Sequence, residues 1–162
     1  MSTKKMLFLD DTLQEDYKLI ALRTNLEAYQ LAYLINKYFE VSFKRADLDL
    51  EFSYGEQDTA HFIFYEYFDS QWDCQMYLVA NKCFTETLIA KSENILFDHH
   101  ATQTFYLLND LKHIDYLIKV EDEMNIFDSG KILNILQEIK GVQSVSQLDL
   151  SAIKNPEYLI FN

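Results

Sequence analysis

The spacing of apolar residues first predicts a strand and then a helix. "YKLIALRT" (17–24) is a nearly continuous apolar run, which indicates a buried strand. "TNLE" (24–27) then indicates a capping box in which Thr24 caps the next helix and Glu27 reaches back. The apolar residues that follow share one helix face, which we expect to pack on the core: Ala28, Leu31, Ala32, Ile35, Tyr38 and Phe39.

The pattern changes to strand-like spacing between Val41 and Cys83. Four segments there alternate or run continuously with aromatic residues: "VSFKRA", "LDLEFSY", "AHFIFYEYFD" and "WDCQMYLVAN". Their short polar joints predict antiparallel neighbours. Residues 84–97 fit short strands or irregular structure equally, whereas "TFYLL" (104–108) and "IDYLIKVE" (114–121) again indicate strands.

A second helix is predicted over about residues 129–140, with Gly141 as its C′ residue. Its apolar residues recur at helical spacing: Ile132, Ile135, Leu136 and Ile139. "VQSVSQLDL" (142–150) indicates a strand, so residues 114–150 resemble half of a ferredoxin-like α+β layer. "PEYLIFN" (156–162) predicts a last edge strand.

Composition supports a single α+β domain over residues 1–162, a mainly antiparallel sheet with two helices packed on it. A chain of 162 residues can bury one core, and an aromatic share of 15% favours sheet. Only three glycines and one proline are present. This scarcity excludes flexible linkers, and it excludes the glycine-rich loops that P-loop and dinucleotide-binding enzymes need.

The net charge of −12 disfavours nucleic-acid binding and anionic lipid, and it favours a basic protein surface as partner. The apolar runs are too short to cross a membrane, and the first residues lack the apolar core of a signal peptide. We therefore expect a cytoplasmic protein. Cys74 and Cys83 are then expected to be buried, reduced thiols, because their spacing matches no zinc module.

The segment "FDHH" contains three residues that can bind a metal, Asp98, His99 and His100. Adjacent histidines on an extended segment point to opposite sides, however, so a solvated loop is favoured. "DLDLE" (47–51) alternates carboxylates, but apolar residues and the absence of a glycine at position six argue against a calcium loop. We expect neither a bound metal nor a cofactor.

"LLNDLKHIDYLIKVE" (107–121) sets Asp110, His113 and Asp115 close together in sequence, as a small catalytic cluster would. The simpler interpretation is a hairpin whose turn is "NDLKH", since Asn109 and Asp110 are turn formers. In the second strand, alternate residues would share a face. One face would carry Ile114, Tyr116, Ile118 and Val120, and the other Asp115, Leu117, Lys119 and Glu121.

The same stretch resembles the defining segment of the IPExxxVDY family, small uncharacterised bacterial proteins. Aligned to that motif, Ile-Pro-Glu falls on Leu108, Asn109 and Asp110, and Val-Asp-Tyr falls on Ile114, Asp115 and Tyr116. Asp115 and Tyr116 match identically. "LEAYQLAYLINKYFEVSFKRADLDL" and "NPEYLIFN" are similar to the N-terminal and C-terminal parts of the family. The resemblance implies no assigned activity.

These observations favour a non-enzymatic module that binds another protein or a second copy of itself through an aromatic sheet face or an edge strand. The alternative is a small hydrolase or ligand-binding enzyme that uses one of the two Asp/His clusters. A third hypothesis is a small apolar ligand bound between helix and sheet.

Overall fold

An antiparallel sheet with helices on one face organises the computed structural model, which describes residues 17–56, 58–88 and 100–161. The described elements are, in chain order, β1 (Tyr17–Thr24), α1 (Ala28–Phe39), β2 (Lys44–Arg45), β3 (Leu50–Tyr54), β4 (Asp58–Phe62), β5 (Phe64–Asp69), β6 (Cys74–Ala80), β7 (Lys82–Leu88), β8 (His100–Tyr106), β9 (Tyr116–Glu121), α2 (Ser129–Glu138) and β10 (Val142–Gln147). The predicted α+β class is confirmed. Within the described ranges, no helix combines the length and apolar character that spanning a bilayer requires.

Six strands form the main sheet in the order β10-β1-β9-β6-β5-β2, and every neighbouring pair is antiparallel. Strand β1 therefore lies between β9 and β10, which run parallel to each other with α2 as their connection. This split β-α-β unit is the arrangement predicted for residues 114–150. Two separate hairpins, β3–β4 and β7–β8, complete the described strands.

One face of the main sheet is covered by α1 and α2. Alternate residues of the central strands point to this face, including Ile20, Leu78 and Ile118. Leu31 of α1 and Leu136 of α2 pack on them and are fully buried. The apolar face of each helix thus packs on the alternate apolar residues of the strands, as the sequence pattern indicates.

The opposite face is covered by the two hairpins and by residues 150–161. Phe62, Phe105 and Leu159 from these segments are buried against sheet residues such as Leu19 and Leu117. Because both faces are covered, β1, β6 and β9 are buried on both sides, which explains their nearly continuous apolar runs.

A lysine is buried on this second face. Lys119 of β9 forms an ion pair with Glu121, with 2.6 Å between Nζ and Oε1. The same ammonium lies 4.9 Å from the ring centroid of Tyr17, 5.1 Å from that of Phe161 and 5.7 Å from that of Tyr77. The charge is therefore stabilised by one carboxylate and three aromatic faces.

The start of α1 differs from the predicted capping box. The N-cap is Glu27, whose side chain accepts from the first turn while Gln30 Oε1 accepts the Glu27 N–H at 3.0 Å. Thr24 still belongs to β1, and its hydroxyl donates to the Gly141 carbonyl at 2.7 Å. Tyr38, expected in the core, is 44% exposed.

The chain from Ala60 to Asp69 is two strands rather than one. β4 pairs with β3, whereas β5 joins the main sheet after a break at Ile63. The alternation of buried residues continues through the break, so the sequence pattern does not mark the change of partner. For residues 84–97 the sequence fits strands and irregular structure equally. In the structure β7 continues to Leu88, and residues 89–97 lie outside the described residues.

The predicted hairpin between residues 104 and 121 is wrong. β8 pairs with β7, and β9 lies between β1 and β6. Because β9 is buried on both faces, it belongs in the middle of the sheet, and "NDLKH" is a connection with a short 3-10 helix at Asn109–Leu111. The predicted closing strand is also wrong, because Pro156–Leu159 form a 3-10 helix with the proline in its first turn.

The end of α2 depends on Gly141. The helix stops at Glu138, and a turn closed by the Val142 N–H and the Ile139 carbonyl leads into β10. The C-cap is Ile139, so Gly141, which was predicted as the C′ residue, lies one position beyond C′. Its φ is 102°, and an added Cβ would lie 3.0 Å from the Leu26 side chain.

Gly141→Ala should therefore destabilise the fold by roughly 1–3 kcal/mol, through backbone strain and contact with Leu26. Gly130→Ala is the matched control, since Gly130 lies in the first turn of α2 and an added Cβ meets Asp128 only at 3.4 Å. The control should be neutral or stabilising by up to about 1 kcal/mol. Urea denaturation of both variants measures the difference, and equal midpoints would contradict this account.

Candidate functional site

A buried asparagine holds the segment that contains the predicted catalytic cluster. Asn81 follows β6 and is 0% exposed. Its side-chain amide donates to the carbonyls of Leu111, at 2.9 Å, and Ile114, at 3.0 Å. Its side-chain oxygen accepts the Leu108 N–H at 2.8 Å. Because the side chain satisfies three backbone groups of one segment, it fixes the path of residues 108–114.

The backbone of Asn81 binds the two ends of the same segment. Its N–H donates to the Asp115 carbonyl and its carbonyl accepts the Leu107 N–H, both at 2.9 Å. Asn81 was not among the predicted site residues. The signal that could have identified it is a lone amide in the apolar run "YLVAN", where burial requires partners for all its polar atoms.

Asp115 and Tyr116 each bind the end of β1 or the residues just after it. The Asp115 carboxylate accepts the Thr24 N–H at 2.9 Å and forms an ion pair with Lys82 at 2.5 Å. The Tyr116 hydroxyl donates to the Leu26 carbonyl at 2.9 Å. Burial, with smaller effects from nearby acidic groups, raises the pKa of Tyr116 to about 12. Both side chains therefore stabilise the fold by binding the backbone at the end of β1 or just after it.

The carboxylates of the predicted Asp/His cluster pair with two different lysines. Asp110 is exposed and pairs with Lys154 at 2.9 Å, whereas Asp115 pairs with Lys82. His113 is exposed, and among the described residues neither carboxylate hydrogen-bonds it. Of the second cluster, Asp98 and His99 lie outside the described residues, as does the side chain of His100. Within the ranges described, no three His, Cys, Asp or Glu residues are grouped as metal ligands.

Both cysteines are buried and unpaired, as predicted. The Cys74 thiol donates to the Glu121 carbonyl at 3.2 Å. Burial, and then the nearby Asp122 and Asp69, raise its pKa to about 11. A thiol that stays protonated at neutral pH is a poor nucleophile, so Cys74 acts as a core residue.

A groove of about 580 Å³ opens at the ends of the two helices. We call it the helix-end groove; its lining residues are Ile35, Lys37, Tyr38, Phe39, Glu40, Val41, Phe43, Asp69, Trp72, Met76, Ile118, Ile126, Phe127, Asp128, Lys131, Ile132, Ile135 and Leu136. Its floor is the sheet at Met76 and Ile118, and its walls are the end of α1 and one side of α2, from Lys131 to Leu136. The volume lies within the range of ligand-binding clefts in proteins.

Three large side chains at the rim of the helix-end groove are half-exposed. Trp72 is 48% exposed, Ile126 is 47% exposed and Tyr38 is 44% exposed. Trp72 is the single tryptophan of the chain. The apolar lining therefore continues to the surface, where a partner could contact it.

The loop between β9 and α2 is held in place at the groove by Asp122. Its carboxylate accepts the N–H groups of Ile126, at 3.0 Å, and Phe127, at 2.7 Å. Lys18 of β1 pairs with the same carboxylate at 3.4 Å and donates to the Phe127 carbonyl at 2.6 Å. One buried acid therefore sets the position of two lining residues.

Backbone strain is concentrated around the helix-end groove. Outside glycine, the described residues with positive φ are Glu40 at 54°, Asp73 at 48° and Asn125 at 50°. Glu40 lines the groove, and the other two are directly adjacent to Trp72 and Ile126. Such conformations cost free energy and occur often at binding sites.

No family model, curated protein or solved structure matches the chain. The arrangement of its own residues is therefore the basis for assigning a function.

Asn81→Ala should destabilise the protein by about 3 kcal/mol, because it leaves the Leu108 N–H and the Ile114 carbonyl without partners. The Leu111 carbonyl keeps the Ile114 N–H as its partner. Asn109→Ala is the control, since Asn109 is exposed in the same connection. It should change stability by less than about 0.5 kcal/mol. Chemical denaturation compares the two, and an unchanged midpoint for Asn81→Ala would show that the segment is held by other contacts.

Stability should also fall in acid because of Asp122. Burial alone would raise the pKa of this carboxyl, but the Phe127 and Ile126 N–H groups and Lys18 outweigh it and lower the pKa. A lowered folded-state pKa gives stability above the unfolded value of about 4, and this stability is lost as pH falls through the folded value.

Asp122→Asn should cost roughly 1–3 kcal/mol at pH 7, and its deficit relative to the wild type should shrink below about pH 4. Thermal melts over a pH series measure both proteins. A deficit that is constant with pH would mean that the charge of Asp122 does not contribute.

Proposed function

We propose that this protein is a non-enzymatic binding module whose helix-end groove holds an apolar side chain of a partner protein. The observation that carries the proposal is the continuity between the buried lining of the groove and the half-exposed Trp72, Tyr38 and Ile126 at its rim. Tryptophan and tyrosine are the residue types that contribute most at protein interfaces. A protein partner is therefore favoured over a small apolar ligand.

The position of the residues with positive φ also supports the helix-end groove as the binding surface. Glu40, Asp73 and Asn125 all flank the groove and have left-handed backbone conformations, which fix the course of the chain there; Glu40 is the C-cap of α1. Asp69 and Asp128 add order there, because each accepts two backbone N–H groups next to the groove. A groove whose walls are held in advance loses less conformational freedom when a partner binds.

Charge favours a partner whose apolar anchor is flanked by basic residues. The groove is lined by three carboxylates, at Glu40, Asp69 and Asp128, and by two lysines, Lys37 and Lys131. The chain as a whole carries a net charge of −12. Long-range attraction would therefore increase the association rate of a basic partner.

The alternative, a small hydrolase or ligand-binding enzyme, has less support from the geometry. Asp110, His113 and Asp115 do not line the helix-end groove, and the two carboxylates are neutralised by different lysines. A general base would have to be free to accept a proton from substrate.

The proposal also places the module in the cytoplasm and relates the chain to the IPExxxVDY family. Two buried, unpaired thiols fit a reducing compartment. The roles of Asp115 and Tyr116 at the end of β1 give a structural reason for keeping an Asp-Tyr pair at this point. The relationship brings no activity with it, so the groove remains the basis of the functional proposal.

The test is affinity capture from native lysate with immobilised wild-type protein and with the double variant Trp72→Ala, Tyr38→Ala. Loss of two interface aromatic side chains should weaken binding at least about 30-fold. A captured polypeptide should therefore be retained by the wild type and lost from the variant. The control is Tyr29→Ala with Tyr33→Ala, which removes two exposed tyrosines of α1 that do not line the groove.

Trp72 supplies a direct readout, since it is the single tryptophan of this chain and lies at the rim of the groove. Addition of the captured polypeptide to the wild-type protein should shift that emission. Equal retention by the groove variant and the wild type would contradict the proposal. An emission shift caused instead by the low-molecular-mass filtrate of the lysate would indicate a small ligand and would contradict it as well.

A further inference from the structure

Among the residues that the structure describes, strand β10 is an edge of the main sheet, and it lacks the charges and the proline that commonly protect an edge from pairing. Its sequence, "VQSVSQ", contains no charged residue and no proline. Edge strands of soluble proteins commonly carry lysine, proline or inward charges that prevent contact with another strand. Here the uncharged edge occurs in a chain of which 25% of residues are charged.

The other edge of the same sheet follows the usual rule. β2 is two residues long, and both of them, Lys44 and Arg45, are exposed cations. One edge of the sheet is therefore short and charged, and the other is six residues long and neutral. This difference indicates that β10 is kept free for pairing.

The register shows which backbone groups of β10 point outward. The Leu148 N–H donates to the Leu19 carbonyl at 2.8 Å, and Ser146 and Ser144 pair with Ala21 and Arg23. Because backbone groups alternate in an antiparallel ladder, the two serines bond to β1.

Val145 and Gln147 then present their N–H and carbonyl groups to the outer edge. Gln143 lies at an irregularity of the ladder and has no paired residue on β1. The Gln143 carbonyl is consistent with this, because it accepts from the side chain of Gln137, at 3.5 Å, instead of from β1. An incoming strand can replace so long a bond.

We propose that two copies of this chain pair through their β10 strands, antiparallel and about a two-fold axis at Val145. The sequence "QSVSQ" (143–147) reads the same in both directions. In this register Val145 faces Val145 of the second copy, Ser144 faces Ser146, and Gln143 faces Gln147. The backbone groups that point outward bond their counterparts in the second copy, and the two sheets become one of twelve strands.

A second copy fits this edge better than an unrelated strand, because a two-fold interface must be complementary to itself. A neutral strand also lets two copies of charge −12 approach without placing like charges opposite each other. In the antiparallel arrangement, the first residue of β10 lies near the last residue of β10 in the second copy. Lys140 of one copy is therefore near Asp149 of the other, and the two side chains carry opposite charges.

The test is sedimentation velocity of the full chain over a range of concentrations. The wild type should dimerise. The double variant Ser144→Lys, Ser146→Lys places lysine opposite lysine twice in the proposed register, and both serines are exposed. Its dimer should dissociate at least about tenfold more readily. Thermal melts establish that the variant is folded.

Charge reversal tests the register itself. Ser144→Glu with Ser146→Glu should also be monomeric, but an equimolar mixture with the double lysine variant should form heterodimers, since lysine then faces glutamate. If the double lysine variant fails to fold, Gln147→Pro is the substitute, because it removes an N–H that points outward and no bond to β1.

The matched control is Thr102→Lys with Thr104→Lys, which adds the same charge at exposed positions of β8. This control should dimerise like the wild type. The proposal would be overturned if the wild type is monomeric or if the lysines in β10 leave the dimer unchanged. It would also be overturned if the control loses the dimer equally, or if the mixture of lysine and glutamate variants stays monomeric.

Discussion

The hydrogen bonds of Asn81 connect the main sheet to the segment that leads from β8 into β9. The main sheet and the β7–β8 hairpin meet at this residue, and the connection into β9 passes around it. Its side chain makes three hydrogen bonds to this connection and its backbone makes two more. Because Asn81 is fully buried, water cannot replace a lost partner, so all five bonds must form together. Through Asp115, the same segment continues to Lys82 and to the end of β1. The position of β9, and hence of both helices packed on it, follows from this junction.

The acidic residues around the helix-end groove act mainly as acceptors for backbone N–H groups. Asp69, Asp122 and Asp128 each accept two such groups in a turn or at a helix start. Part of the strongly negative charge is therefore a structural requirement of loops that contain few glycines. This explains why several carboxylates lie near the groove and are bound to backbone N–H groups there.

The sequence pattern was sufficient for the class of fold and for most elements, because their periodicity reflects local geometry. Both helices, the strand-helix-strand unit and the faces of residues 116–121 agree with the structure. Ile114, predicted on the face of Tyr116, packs instead on the opposite side with Leu117, because it precedes the strand. Partners of strands were harder to predict: the break at Ile63 and the separation of β8 from β9 depend on contacts between distant segments. The groove could not be predicted either, since Trp72, Ile126 and Tyr38 come from three parts of the chain. The tryptophan between polar residues in "QWDC" was the available signal.

The position of β1 also has a consequence for how the protein is made. This strand is inserted between β9 and β10, so both of its neighbours come from the last third of the chain. Few of its contacts can form while the ribosome is still producing the intervening residues. A topology dominated by such distant pairings folds slowly, and the apolar β1 remains exposed until synthesis is nearly complete. The order of strands thus leaves an apolar segment of the nascent chain without its partners until the last third of the chain has been made.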